Sequence, residues 1–245
     1  MLSYHNDPLI KEKHVRRFAA HRVADEVIQG TGFHDNHGCF VGCTLDEYNH
    51  AQFPIQLGWP VWLASLADVI FENLPREEAA QFGTDLLNAV PVGVDLEPVR
   101  YLTAVRRMTT LIVQQKKLLS TIVETEDRKR IKDVIKAIRA VRQCNIEGAD
   151  CSFDNWTAAY KEARVVMAAA TASFGSTSMK SSCVSAAASA TQATEEETTF
   201  LVQYRMIYSA SHAAYAAFLV GSALGQEKAW KRERDDLLDI LWVLQ

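Results

Sequence analysis

Apolar residues in this chain recur with the period of a helix over most of its length. After Asp7-Pro8, where Asp suits a helix cap and Pro the first turn, Leu9, Val15, Phe18, Ala19, Val23 and Val27 follow at helical spacing until Gly30. Residues 30–43 (GTGFHDNHGCFVGC) have no period and are read as a loop. Thr44 and Glu47 have the spacing of a capping box, which predicts a short helix interrupted near Phe53-Pro54 and ended by Gly58. Pro60 opens the next helix, with Leu63, Leu66, Ala67, Ile70 and Phe71 on one face. Another starts at Leu74-Pro75, where Glu77 and Glu78 complement the positive helix end. Asp95 is placed to cap a long helix over 96–122 with the stripe Leu102, Val105, Met108, Ile112, Leu119, Ile122. A second, over 127–143, carries Ile131, Val134, Ile135, Ile138 and Val141, and the short acidic break between them predicts an antiparallel hairpin. A last helix carries Trp230, Leu237, Leu238, Leu241 and Trp242.

No stretch alternates with period two for long enough to be a strand. The expected fold class is therefore all-α, a multi-helix bundle of about nine helices with a long central antiparallel helical hairpin. Composition changes after residues 145–154: from Met167 to Thr194, 20 of 28 residues are Ala, Ser or Thr. Ala favours helix over flexible linker, so this segment is read as helical with a break at Gly175–Ser178. The expected division is 1–148, an N-terminal helical region with a Cys/His loop and a basic hairpin, and 149–245, an Ala/Ser-rich helical region packed with the first as one unit.

The chain is 48% hydrophobic over 245 residues, enough for a sizeable core without disulfide staples. Five scattered cysteines (Cys39, Cys43, Cys144, Cys151, Cys183) do not form a secreted disulfide framework and are read as reduced thiols. The N-terminal residues lack the pattern of a secretory signal and no long uncharged apolar run occurs, so the expectation is a cytoplasmic protein with no membrane partner.

Charge is unevenly distributed: residues 100–142 hold 12 Lys/Arg against 4 Asp/Glu, in a chain of net charge −4. Arg106, Arg107, Lys116, Lys117, Arg128, Lys129, Arg130, Lys132, Lys136 and Arg139 form a candidate partner-binding surface for an acidic protein or a nucleic-acid backbone. The bland reading is a solvated helix face.

The chemistry-bearing residues concentrate between His34 and His50. Cys39, Cys43 and His50 are residue types that zinc prefers, although Cys39 and Cys43 are four apart and no second ligand pair follows downstream. The same thiols could act as nucleophiles, with His50 as base and His21–Asp25 as a His–carboxylate pair at i, i+4. Cys39, Cys43, His50, His21 and Asp25 are thus the candidate catalytic residues. Cys39, Cys43 and His50 are the candidate metal ligands, with zinc the cofactor. The structural alternative is that both cysteines pack the loop. A second Glu-x-x-His to match Glu47–His50 is lacking, as are the nucleotide-binding, zinc-protease and serine-hydrolase motifs.

The segments HRVADEVIQGTGF (21–33), GCFVGCTLDEYNHAQFPIQLGWPVWLASLADVIFENLP (38–75) and VPVGVDLEPVRYLTAVRRM (90–108) resemble uncharacterised bacterial and phage-borne helical proteins. These share a G-C-x-x-G-C-T-L element and an Ala/Ser-rich C-terminal half, and some similar chains carry the label of immunity proteins. The resemblance covers roughly the first 110 residues. It implies that Cys39, Gly42, Cys43, Thr44 and His50, with His21 and Asp25, belong to the shared motif, whereas His34 and His37 do not. Three functions stay open: a non-enzymatic binding or effector protein of phage or mobile-element type, inhibitor- or immunity-like, acting on a host or rival macromolecule; a metal- or thiol-dependent enzyme with its site at 39–50; and a nucleic-acid-binding protein using the basic hairpin. A homo-oligomer packed through the Ala-rich helices is a further partner expectation.

Overall fold

A computed structural model describes residues 1–123, 125–173 and 225–244. Helix α1 (Pro8–Val23) begins as the sequence indicates, with the Asp7 carboxylate accepting the Leu9 N–H at 2.8 Å. It ends earlier than Gly30. Asp25 takes a left-handed conformation (φ 58°), and the chain turns so that Glu26 C=O accepts the Gly38 N–H while Ile28 N–H donates to Gly38 C=O. The aperiodic stretch is held by this pairing and by a two-residue antiparallel ladder, β1 (Phe33–His34) with β2 (His37–Gly38). Asp35 and Asn36 turn it with φ of 49° and 63°, the left-handed pair that a tight two-residue hairpin requires. A ladder this short leaves no period in the sequence.

Helix α2 (Phe40–Leu45) starts four residues before the expected Thr44 cap. Thr44 lies inside it and donates its hydroxyl to Phe40 C=O, so the capping box is not formed; Asp46, left-handed at φ 60°, ends the helix. Helix α3 (Gln52–Leu57) carries Pro54 in its first turn and stops at left-handed Gly58. There follow α4 (Val61–Asn73), α5 (Arg76–Ala89), α6 (Glu97–Thr121), α7 (Thr125–Glu147), α8 (Phe153–Ser173) and α9 (225–243). Among the described residues the protein is an all-α, multi-helix bundle, and none of these helices is long and apolar enough to cross a membrane. Residues 174–194 of the Ala/Ser/Thr-rich segment, its expected break, and the apolar stretch through Phe218 lie outside the described residues.

The chain forms two units: Met1–Arg100 with Trp230–Gln245, and Tyr101–Ala229. The division falls at Arg100 and not near 148, because α7 and α8 pack on one another on either side of that turn and share a core. In the first unit α4 is buried on nearly every side, from Trp62 through Phe71. Around it, Phe18 of α1 meets Phe40 of α2 at 5.9 Å, and Phe40, Phe53, Trp59 and Tyr4 form a chain of ring contacts. Trp230, Leu237, Ile240 and Leu241 of α9 are buried, with Trp242 exposed, and Glu78 pairs with Lys231 and Arg234. In the second unit α6 and α7 form the expected antiparallel hairpin. Arg142 Nε donates to Thr109 Oγ1 at one end, and Arg128 donates to the carbonyls of Leu119 and Ile122 at the other. Met108, Leu111, Ile131, Val134, Ile138 and Val141 fill the seam, with Ala159 and Ala163 of α8 against them.

Candidate functional site

The site is built by two segments that the helical period does not describe alone. Gly32, Gly38 and Gly42 let the loop lie directly on α2: a Cβ at Gly42 would fall 2.2 Å from the Gly32 carbonyl oxygen, and one at Gly38 2.8 Å from it. Backbone bonds from Cys39 N–H to the carbonyls of Thr31 and Gly32 then fix Cys39 as the residue that precedes α2. Opposite it, Asp68 and Glu72 project from α4 at i and i+4, hence on one face.

Cys39 Sγ, a carboxylate oxygen of Asp68 and one of Glu72 all lie within 4.8 Å of each other, a group that could hold a metal ion. Cys39 is 1% exposed and Asp68 5%. One Asp68 oxygen, Oδ2, accepts from Tyr48 Oη at 3.1 Å and meets His50 Nε2 at 3.2 Å; the other, Oδ1, is buried with no hydrogen-bond partner. The Gly30 N–H donates to Glu72 Oε2 at 2.7 Å. Burial, and then the Asp68 charge, push the Cys39 thiol and the Tyr48 hydroxyl well above their ordinary ranges. Glu72 is also raised, by burial first and by Asp68, against the opposing Gly30 N–H.

His21 and Cys43 belong to a neighbouring cluster. The His21 ring bridges Glu26 Oε2 (2.6 Å from Nδ1) and Asp46 Oδ1 (3.0 Å from Nε2), and Arg17 Nε pairs with Asp46 Oδ2 at 3.0 Å. Burial lowers the His21 pKa, but the hydrogen bonds and charges of Asp46 and Glu26 together outweigh it, so the net shift is upward. The Cys43 thiol donates to Gly38 C=O at 3.2 Å and is pushed up to about 12, chiefly by burial. The expected five residues therefore separate: Cys39 and His50 both face Asp68, while His21 and Cys43 lie around Glu26. Asp25 is exposed beyond the end of α1, and Glu26 makes the histidine contact expected of it. His34 and His37 sit at the exposed hairpin turn.

Comparison with family models, with curated proteins and with solved structures returned no match.

The arrangement does not suit a thiol nucleophile. Cys39 is beside a carboxylate instead of an imidazole, and both loop thiols are buried and held protonated, whereas nucleophilic attack needs the thiolate. It does suit a cation: a buried carboxylate oxygen without a hydrogen bond, a second carboxylate and a sulfur converge, and the upward shifts of Cys39, Tyr48 and Glu72, set first by burial, each carry a contribution from the Asp68 charge. Asp68 and Glu72 were missed in the sequence because α4 was read only for its apolar stripe. The available signal was that Asp68 is the only charged residue from Val61 to Phe71, in a helix otherwise built for the core.

Of the candidate partner-binding cations, Arg107 is 3% exposed and buried. Arg106 is half-buried; Arg128 is spent on the α6 carbonyls and Arg130 pairs with Glu126 and Asp127. Lys116, Lys117, Lys129, Lys132, Lys136 and Arg139 are exposed, Lys136 pairing with Glu162 at 2.6 Å.

Proposed function

We propose that this chain is a zinc protein whose metal is held by Cys39, Asp68 and Glu72. The observation that carries the reading is the buried Asp68 carboxylate, one oxygen of it unpartnered, in a group that converges within 4.8 Å with Cys39 Sγ and Glu72. Tetrahedral ligands at about 2.1 Å from zinc lie about 3.4 Å apart, so modest side-chain adjustment closes the group. The donor set favours zinc over magnesium or calcium, because a thiolate is a soft ligand that hard cations do not select. Three protein ligands leave a position for water, and zinc bound there would supply Lewis acidity and a water ionised near neutral pH. Tyr48 and His50 orient Asp68 through its Oδ2, and Gly30 N–H orients Glu72. A cation in the group would reverse the upward shift of the Cys39 thiol and release its proton.

Elemental analysis of protein purified without chelators tests the reading. One zinc per chain is expected, falling to background in Cys39→Ser and in Asp68→Asn. A wild-type protein that keeps no stoichiometric metal after incubation with zinc and desalting would overturn it.

A second reading is favoured by the exposed cations of α7. Lys129, Lys132, Lys136 and Arg139 are spaced i, i+3, i+7, i+10 and so share one helix face, suited to an acidic protein or a nucleic-acid backbone.

A further inference from the structure

The hairpin that leads into Cys39 carries chemistry that the buried Cys39, Asp68 and Glu72 group does not use. Asp35 and Asn36 form its two-residue turn, and the ladder sets His34 directly opposite His37. Residues paired in this way project from the same face of a ladder, and the pair flanking a tight turn has its Cα atoms about 5.5 Å apart. Two imidazoles are therefore held side by side in solvent, since His34, Asp35, Asn36 and His37 are all exposed. His34 Nε2 and Asp35 Oδ2 are 3.2 Å apart. Two ligands of one ion, at bond lengths of about 2.1 Å, are separated by about 3.0–3.4 Å, so this pair already has the spacing of a chelate. His37 is oriented from the other strand: its Nδ1 lies 2.7 Å from the Asp35 carbonyl oxygen. A carbonyl only accepts, so Nδ1 donates and the lone pair of the ring is on Nε2. A metal-ligating histidine is usually held in this way, by its other ring nitrogen.

We propose that His34, Asp35 and His37 form a second, surface site for a divalent transition-metal ion of the copper and nickel class. Imidazole suits these ions, and tetragonal sets of nitrogen and oxygen are typical of Cu(II) and Ni(II). No thiolate takes part, unlike the group at Cys39. The His37 ring joins the His34–Asp35 pair by side-chain rotation, and no core packing has to give way, because none of the three residues is buried. Three ligands drawn from four successive residues leave the other coordination positions to water, so the ion is held shallowly and exchanges with solution. The site stands independently of zinc binding in the core, since it shares no residue with Cys39, Asp68 or Glu72.

Nickel titration of the full-length chain carrying Asp68→Asn, which disables the buried group, isolates the hairpin. By isothermal titration calorimetry one equivalent of Ni2+ is expected to bind. Affinity should fall about tenfold or more in His34→Ala and again in His37→Ala, since loss of even an outer partner of a metal ligand costs that much. Both rings are exposed, so the urea midpoints of these variants should match the parent. Substoichiometric Cu2+, which is paramagnetic, is expected to broaden the ring-proton resonances of two of the seven histidines, and these two should be the signals missing from the variants. Nickel affinity unchanged when both histidines are replaced, broadening confined to other histidines, or no binding at millimolar Ni2+ would overturn the site.

Discussion

Asp68 is a residue whose chemistry and burial oppose each other. A carboxylate taken out of water loses solvation, and only one of its two oxygens recovers hydrogen bonds, from Tyr48 and His50. Functional sites are where such local costs are retained. In metal-free protein, Asp68→Asn keeps an acceptor for Tyr48 and removes the buried charge. We expect it to raise stability by about 1 kcal/mol in a denaturant titration with a chelator present, while abolishing zinc retention. A loss of stability instead would mean that the carboxylate serves the apo fold. At this scale the sequence was only half legible. Cys39 and His50 stood out by residue type, but their meeting place is an acid on a helix that reads as pure core. Cys39 and Cys43, similar on paper, differ because α2 begins at Phe40: one precedes the helix and faces α4, the other lies within it and turns to the Gly38 carbonyl.

Among elements, the clamp around α2 couples local titration to folding. His21 near the end of α1 joins Glu26, whose carbonyl receives Gly38, to Asp46, the residue that ends α2. Its pKa is raised in the folded protein. The stabilisation is therefore complete below the unfolded value, near 6.5, and is lost as pH rises through the higher folded value. Comparing wild type with His21→Gln by urea unfolding, we expect a difference of about 1–2 kcal/mol at pH 5.5 that shrinks by pH 9. A difference independent of pH would assign His21 to packing against Phe33, which its ring meets edge-on at 6.0 Å. Periodicity located α4 through α7 because each buries a stripe, whereas α1 was legible from its Asp7-Pro8 start: of its expected stripe Phe18 is buried, but Leu9, Ala19 and Val23 are exposed. It could not locate the end of α1 or the start of α2, where left-handed residues and backbone pairing to Gly38 decide, and a two-residue ladder has too few positions to show alternation.

Across the whole molecule, the charge asymmetry is reduced to fewer residues than composition suggests. The segment 100–142 has 12 basic residues, yet several of them are structural: Arg107 is buried, Arg128 caps α6, Arg130 is paired, and Arg142 binds Thr109. The outward stripe that survives is Lys129, Lys132 and Arg139, with Lys136 between them paired to Glu162, spanning about 15 Å along α7 at 1.5 Å per residue. Exposed lysines of this kind contribute little to stability and are free to differ without unfolding the chain, so reversing three of them separates binding from folding. Labelled polyglutamate and a single-stranded thymidine oligonucleotide serve as probes for the two kinds of acidic partner. If the stripe is a docking face, one of them binds at 100 mM salt, weakens about tenfold by 300 mM as three contacts on a single strand would, and is lost in Lys129→Glu/Lys132→Glu/Arg139→Glu. Retention by the triple variant, or binding that ignores salt, would show that these cations only keep the helix face solvated.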